Sequence, residues 1–215
     1  MINDPELPKF TASLSGKIKI IGENGASIPA SGVILTLTPL DGQKLRKESK
    51  PNSINIDMRG KTYTPSHSSI NINDSVRFIN SDKIKHNVFS STQNSAFDLG
   101  TFGTGKSRDV TLKNEGIVKV YCNIHADMAT FISVTDKSLS YITTEDGVFQ
   151  FKHLPNGAYR LHVWHLRGEK TESIAVSNQN SETINVRLNT ASFKKAEHKN
   201  KYGKKYSSPS LFDDE

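Results

Sequence analysis

The chain has 215 residues, 34% of them hydrophobic, with 28 Lys and Arg against 22 Asp and Glu for a formal net charge of +6. That length supports one large β domain or two small ones with cores of their own; no apolar run approaches the ~20 residues that span a bilayer, and Met1 to Ile20 shows no signal-peptide hydrophobic core. The basic balance does not point to nucleic acid, because six lysines cluster between Phe193 and Tyr206, Asp213, Asp214 and Glu215 partly offset them, and no groove-binding helix or aromatic platform accompanies them.

From Gly16 to Leu188, β-branched and aromatic residues recur at alternate positions in short runs broken by Gly, Pro, Asn, Asp and Ser. The pattern predicts strands at 17–21 and 33–38, a polar linker over 44–53, and strands at 53–58, 75–80, 87–90, 106–112, 116–121 and 130–134. A last group follows at 141–143, 148–151, 158–164, 172–176 and 182–187. No amphipathic helix of useful length is found, and only a single helical turn near Asp127 or within 41–50 fits the remaining sequence. The expected fold class is all-β.

Chemistry concentrates at 121–128, which reads Tyr-Cys-Asn-Ile-His-Ala-Asp-Met. Cys122 is the only cysteine, so no internal disulfide forms, and with His125 and Met128 it stands at C-x-x-H-x-x-M spacing. A thiolate, an imidazole and a weak thioether are soft ligands, and one more histidine would complete the trigonal His2Cys set with a long axial Met that holds copper in blue-copper sites. His86 is the candidate second imidazole.

Blander readings stand beside this one. A lone cysteine is usually an inert core residue, Met128 could fill a core gap, and Asn87 could be a local turn former. A thiol hydrolase pairing Cys122 with His125 would need an orienting third group and a cleft, so no catalytic residue is assigned and the chain is expected not to be an enzyme. His162 and His165, three apart on a strand, point to opposite faces. His67, His153 and His198 have no soft partners nearby in sequence, and Trp164 reads as core.

The block from Ser53 to Val134 resembles a cupredoxin, more narrowly the amicyanin-like and plastocyanin-like proteins grouped with methylamine utilisation proteins. The residues that carry the resemblance are Tyr63-Thr64-Pro65, Asn73-Asp74-Ser75-Val76, Phe78-Ile79-Asn80, His86-Asn87-Val88-Phe89-Ser90, Phe97-Asp98-Leu99-Gly100 and the run Gly116 to Cys122. It implies one copper ion bound by His86, Cys122, His125 and Met128. Asn87 is then expected to tie the two ligand segments together by hydrogen bonds, and His125 to show its outer edge through an apolar patch with Ile124 and Ala126 as the electron port. The implied function is one-electron transfer with a redox protein as donor and another as acceptor, an acidic one being compatible with the basic tail; the alternative is copper storage, sensing or delivery. Such proteins act in the bacterial periplasm or otherwise outside the cytoplasm.

The flanks resemble a carboxypeptidase regulatory-like sandwich. Its opening strands would be Ser15 to Ile18 and Thr36 to Pro39, and its closing half Thr143 to Phe151 with Leu154-Pro155-Asn156-Gly157-Ala158-Tyr159-Arg160-Leu161. Asp146-Gly147 and Pro155-Asn156-Gly157 suit the two turns between its strands. The expected architecture is a Greek-key cupredoxin β-sandwich at 51–135, inserted in or packed beside a small prealbumin-like β-sandwich made of 13–50 and 136–190, with a short N-terminal tail at 1–12 and a basic, disordered tail at 191–215.

Overall fold

A computed structural model of the chain describes residues 12–43, 45, 50–178, 183–193 and 199–206. It divides into two compact units, one formed by Met1–Lys47 with Lys137–Lys194, the other by Glu48–Asp136 with Lys195–Glu215.

In the first unit, β1 (Ala12–Ile21), β2 (Ser27–Ile28) and β3 (Ile34–Pro39) come before the second unit in sequence. The second unit holds β4 (Ser53–Arg59), β5 (Thr62–Thr64), β6 (His67–Asn71), β7 (Ser75–Asn80), β8 (His86–Ser90), β9 (Phe97–Phe102), β10 (Ser107–Thr111), β11 (Gly116–Tyr121) and β12 (Ala129–Thr135). The chain then returns to the first unit with β13 (Leu139–Ile142), β14 (Val148–Leu154), β15 (Gly157–His165), β16 (Gly168–Val176) and β17 (Thr183–Asn189). Among the described residues the single helical turn is Glu23–Gly25, and none of them forms a helix long and apolar enough to cross a membrane.

Each unit is two sheets closed on one apolar core, which is how a strand with one oily face hides it from water. In the first unit the sheet β14-β1-β17, with β2 also on β1, faces β13-β3-β15-β16. Ile18 and Ile20 from β1, Phe149 and Phe151 from β14, and Leu35, Leu161 and Val163 from the other sheet fill the space between. β3 pairs with β13 antiparallel, Leu37 opposite Leu139, although the whole second unit lies between them in sequence. Gly147 closes the Asp146-Gly147 turn at φ +70, and a Cβ there would strike the Ile18 carbonyl, so both conformation and space demand glycine.

In the second unit β10-β7-β4-β5 faces β6-β12-β11-β8-β9. Ile56, Met58, Val76 and Phe78 from one sheet meet Val88, Val118, Val120 and Ile132 from the other. β8 runs between β9 and β11 with all five residues buried, so it shows no alternation of polar and apolar positions. That burial brings His86 and Asn87 indoors.

Four strands were not predicted: β2, β5, β6 and β9. β5, β6 and β9 end their sheets and β2 pairs only with β1. A strand with one neighbour is held by half the ladder and carries a weaker apolar pattern, as in His67-Ser-Ser-Ile-Asn71. β9 is further masked by Gly100 at φ +73 and by an irregular register between Asn87 and Phe89. Within the stretch expected as a tail, residues 199–206 form a hydrogen-bonded turn grouped with the second unit, Asn200 Oδ1 accepting from two of the turn's amides. Residues 1–11, most of 44–49, 194–198 and 207–215 of the expected tails and linker lie outside the described residues.

Candidate metal centre

β11 ends at Tyr121 and β12 begins at Ala129, so the segment 122–128, opened by Cys122, is the connection of a hairpin whose last pair is Tyr121 with Ala129. Two backbone bonds close that connection, Cys122 N–H to the Met128 carbonyl at 3.2 Å and Met128 N–H to the His125 carbonyl at 3.2 Å. β8 pairs with β11 at Tyr121 and Phe89, which carries the start of β8, and so His86, toward the same end of the sheet.

The three sequence-predicted donors His86, Cys122 and His125 come together, their ligand atoms all within 4.8 Å of one another. Cys122 Sγ stands 3.7 Å from His125 Nδ1 and 4.0 Å from His86 Nδ1, and the two Nδ1 atoms are 3.1 Å apart. His86 and Cys122 are fully buried and His125 is half-buried. Met128 is buried in the core of the same unit, at the far end of the connection.

A carboxylate sets the orientation of the buried imidazole. His86 Nε2 lies 3.0 Å from Asp82 Oδ2, four residues back. A carboxylate accepts, so Nε2 donates, and the ring turns its Nδ1 edge toward Cys122 and His125. Asp82 is held below its ordinary value first by the Lys61 amide, against an upward push from burial, with His86 and the Lys83 amide adding to the depression. The sulfur accepts a long bond from the Ile124 N–H at 3.4 Å.

Asn87, expected to tie the ligand segments together, donates from Nδ2 to the carboxylate Oδ1 of Asp98 on β9 at 2.9 Å. Its Oδ1 is buried and has no hydrogen-bond partner among the described residues. Burial pushes the Asp98 carboxyl up, yet Lys201, Asn87 and the Gly100 N–H together hold it below its ordinary value. Tyr63, buried in the core, directs its hydroxyl to the Asn87 carbonyl at 3.4 Å, and burial, then Cys122 and Tyr206, raise its phenol well above the ordinary value.

Ile124 is 45% exposed, Ala126 is exposed, and both flank the half-buried His125. Elsewhere the histidines are dispersed: His67 packs on Phe131 and bonds Ser66 Oγ, and His162 bonds Glu169 in the other unit. Sequence reasoning missed Asp82, Asp98, Lys201 and Tyr206. Asp82 had a readable signal, a carboxylate four residues ahead of a candidate ligand; the others reach the site only through the fold.

No protein-family model and no curated protein matches the chain. Among solved structures it is similar to a purple cupredoxin from Nitrosopumilus maritimus, at 22% identity over 38% of this chain and 98% of that one, with a TM-score of 0.35. A reduced amicyanin variant matches at 20% identity over 40% of this chain and 86% of that one, with a TM-score of 0.37. A copper-containing nitrite reductase from Thermus scotoductus matches at 22% identity over 46% of this chain and 25% of that one, with a TM-score of 0.38. At such values the site's own geometry has to carry any functional reading.

Proposed function

We propose that the protein binds one copper ion through His86, Cys122 and His125, with Met128 as the weak fourth ligand, and passes single electrons between redox proteins without bond chemistry of its own. The observation that carries this reading is the convergence of a thiol and two imidazole Nδ1 atoms within 4.8 Å at one end of a rigid sandwich. One soft sulfur and two nitrogens fit copper, and geometry of this kind separates copper from metals that prefer oxygen donors.

Bound there, copper would supply a centre that alternates between its +1 and +2 states. The chain's residues do the rest. Asp82 fixes the proton of His86 on Nε2 and so keeps Nδ1 available. The Ile124 N–H withdraws density from the sulfur. β8 and β11, hydrogen-bonded to each other, hold two of the ligands on one sheet, which limits rearrangement between oxidation states. The half-buried edge of His125, with exposed Ile124 and Ala126 beside it, offers a small apolar face for a redox partner. Carriage in the periplasm or another extracytoplasmic space belongs to the same proposal, and so does an acidic partner for the basic tail.

Delivery of copper to another carrier uses the same ligands, but full burial of His86 and Cys122 favours a retained ion over an exchanged one. Titrating the metal-free chain with copper(II) tests both readings. The expected result is one equivalent bound with an intense visible thiolate charge-transfer band, absent in Cys122→Ser, and a reduction potential lowered in Met128→Gln. A copper-bound wild-type chain without that band would sink the electron-transfer reading, whereas rapid loss of the ion to a mild chelator would favour delivery.

A further inference from the structure

The two segments that carry the candidate ligands are joined by the end of the chain. Asn87, next to His86, donates to one oxygen of Asp98, and the other oxygen accepts from Lys201 Nζ at 2.8 Å. The Lys201 backbone N–H then donates to Asn123 Oδ1 at 2.9 Å, next to Cys122. A second bond reaches the ligand residue itself, Tyr206 Oη donating to the Cys122 carbonyl at 2.6 Å. The link expected of Asn87 alone thus runs through Asp98 and a segment some 80 to 100 residues further along, the sequence separations being 78, 84 and 103.

That segment is a built turn. Asn200 N–H donates to the Lys204 carbonyl at 2.8 Å and Gly203 N–H to the Asn200 carbonyl at 2.9 Å, while Asn200 Oδ1 accepts from the Tyr202 and Lys204 amides at 3.0 Å each. Gly203 adopts φ +74, which lets the turn close. A turn that satisfies its own backbone can present Lys201 and Tyr206 at low ordering cost. The loop's internal bonds, from Cys122 N–H and Met128 N–H, leave the Cys122 carbonyl and the Asn123 side chain to be held from outside. Rotation about that peptide would swing the sulfur relative to both imidazoles and alter its contact with the Ile124 N–H.

We propose that residues 199–206 are a strap that positions the ligand loop, with Tyr206 and Lys201 as positioning residues that tune the copper site without touching the metal. This rests on the copper reading above. Removing the Tyr206 hydroxyl frees the Cys122 carbonyl; neutralising Lys201 releases Asp98 and through it Asn87.

The test uses the full chain as wild type, Tyr206→Phe, Lys201→Met and the control Tyr141→Phe, a hydroxyl of the first unit. In the metal-free protein, amide exchange at Ile124 and Met128 should run roughly fivefold faster in Tyr206→Phe, about the worth of one net hydrogen bond, and be unchanged in Tyr141→Phe. In the copper-loaded protein, Tyr206→Phe and Lys201→Met should each shift the reduction potential and the charge-transfer maximum, with Tyr141→Phe matching wild type. Unchanged exchange in Tyr206→Phe overturns the strap. Faster exchange with an unmoved potential and band overturns the positioning role, since a merely structural contact would behave so. A wild-type chain lacking the band would sink the copper reading instead, and the exchange measurement would still decide whether the strap holds the loop.

Discussion

The two units are both two-sheet sandwiches, yet they bury different polar chemistry. Among the described residues, the first unit buries the Trp164 indole and four hydroxyls, those of Ser138, Thr143, Thr190 and Tyr159. Each hydroxyl is satisfied locally, Ser138 with Thr38 Oγ1 at 2.7 Å, Thr190 donating to the Ile21 carbonyl at 3.1 Å, Tyr159 donating to the Pro155 carbonyl at 2.7 Å, and Thr143 bridging the Ala30 carbonyl and the Val33 amide. Its His162 stays near the surface beside Glu169. The second unit buries His86 and Cys122 with their ligand atoms 4.0 Å apart, and buries Asn87, whose Oδ1 has no partner among the described residues. Burying polar groups that are incompletely paired costs on the order of 1–3 kcal/mol each. A sandwich of this size does not need a buried histidine and thiol facing each other, as its neighbour shows, and the proposed copper site would require them.

The largest test of this contrast removes core volume from either unit. Phe149→Ala and Phe78→Ala delete fully buried rings of the first and second unit, and each should cost about 3–5 kcal/mol in a denaturant melt. Only Phe78→Ala should also weaken the copper band per folded molecule. Loss of the band in Phe149→Ala at full folding would break the separation of roles.

Carboxylates beside histidines sharpen it at smaller scale. Asp82→Asn should weaken copper affinity by roughly tenfold, the usual effect of removing the group that orients a ligating histidine, measured by competition with a chelator. Glu169→Gln, which alters an exposed carboxylate against His162 in the first unit, should change neither affinity nor stability by more than about 0.5 kcal/mol. Equal effects from both variants would remove the distinction.

The smallest expected effect is a pH dependence. The Asp98 carboxyl is depressed in the folded chain, so its stabilisation is present above the unfolded value of 3.8 and is lost as pH falls through the lower folded value. Wild type should therefore exceed Asp98→Asn at neutral pH, by less than about 1 kcal/mol given that Asp98 is 42% exposed. The gap should close in acid, and thermal melts across pH 2 to 7, on the order of the range in which carboxylates titrate, check it. A gap that widens in acid would contradict the depressed value.

Much of the fold was legible in the residues. The strands 75–80 and 116–121 match β7 and β11 residue for residue, because both alternate cleanly beneath one core. Of the strands that end their sheets, β10, β13, β14, β16 and β17 were expected, whereas β6 was not, since polar residues such as Ser68 and Ser69 stand in place of an apolar alternation. In the candidate site, the thiol and the two histidines that come together were readable from residue type and order. The direction in which Asn87 spends its amide was not, because it depends on Asp98 lying across the ladder on β9.

What the sequence determined by itself was the class of the fold, through the period-2 pattern, and the identity of the soft donors, through a single cysteine and its spacing to His125 and Met128. Only the tertiary structure decided that His86 meets Cys122 and His125, that Asp82 lies against its Nε2, and that Lys201 and Tyr206 return to the loop 122–128. Local pattern fixes which face a side chain takes on its own strand. The pairing of β8 with β11, and of a terminal turn with a hairpin loop, depends on contacts between residues far apart in the chain, for which local periodicity carries no signal.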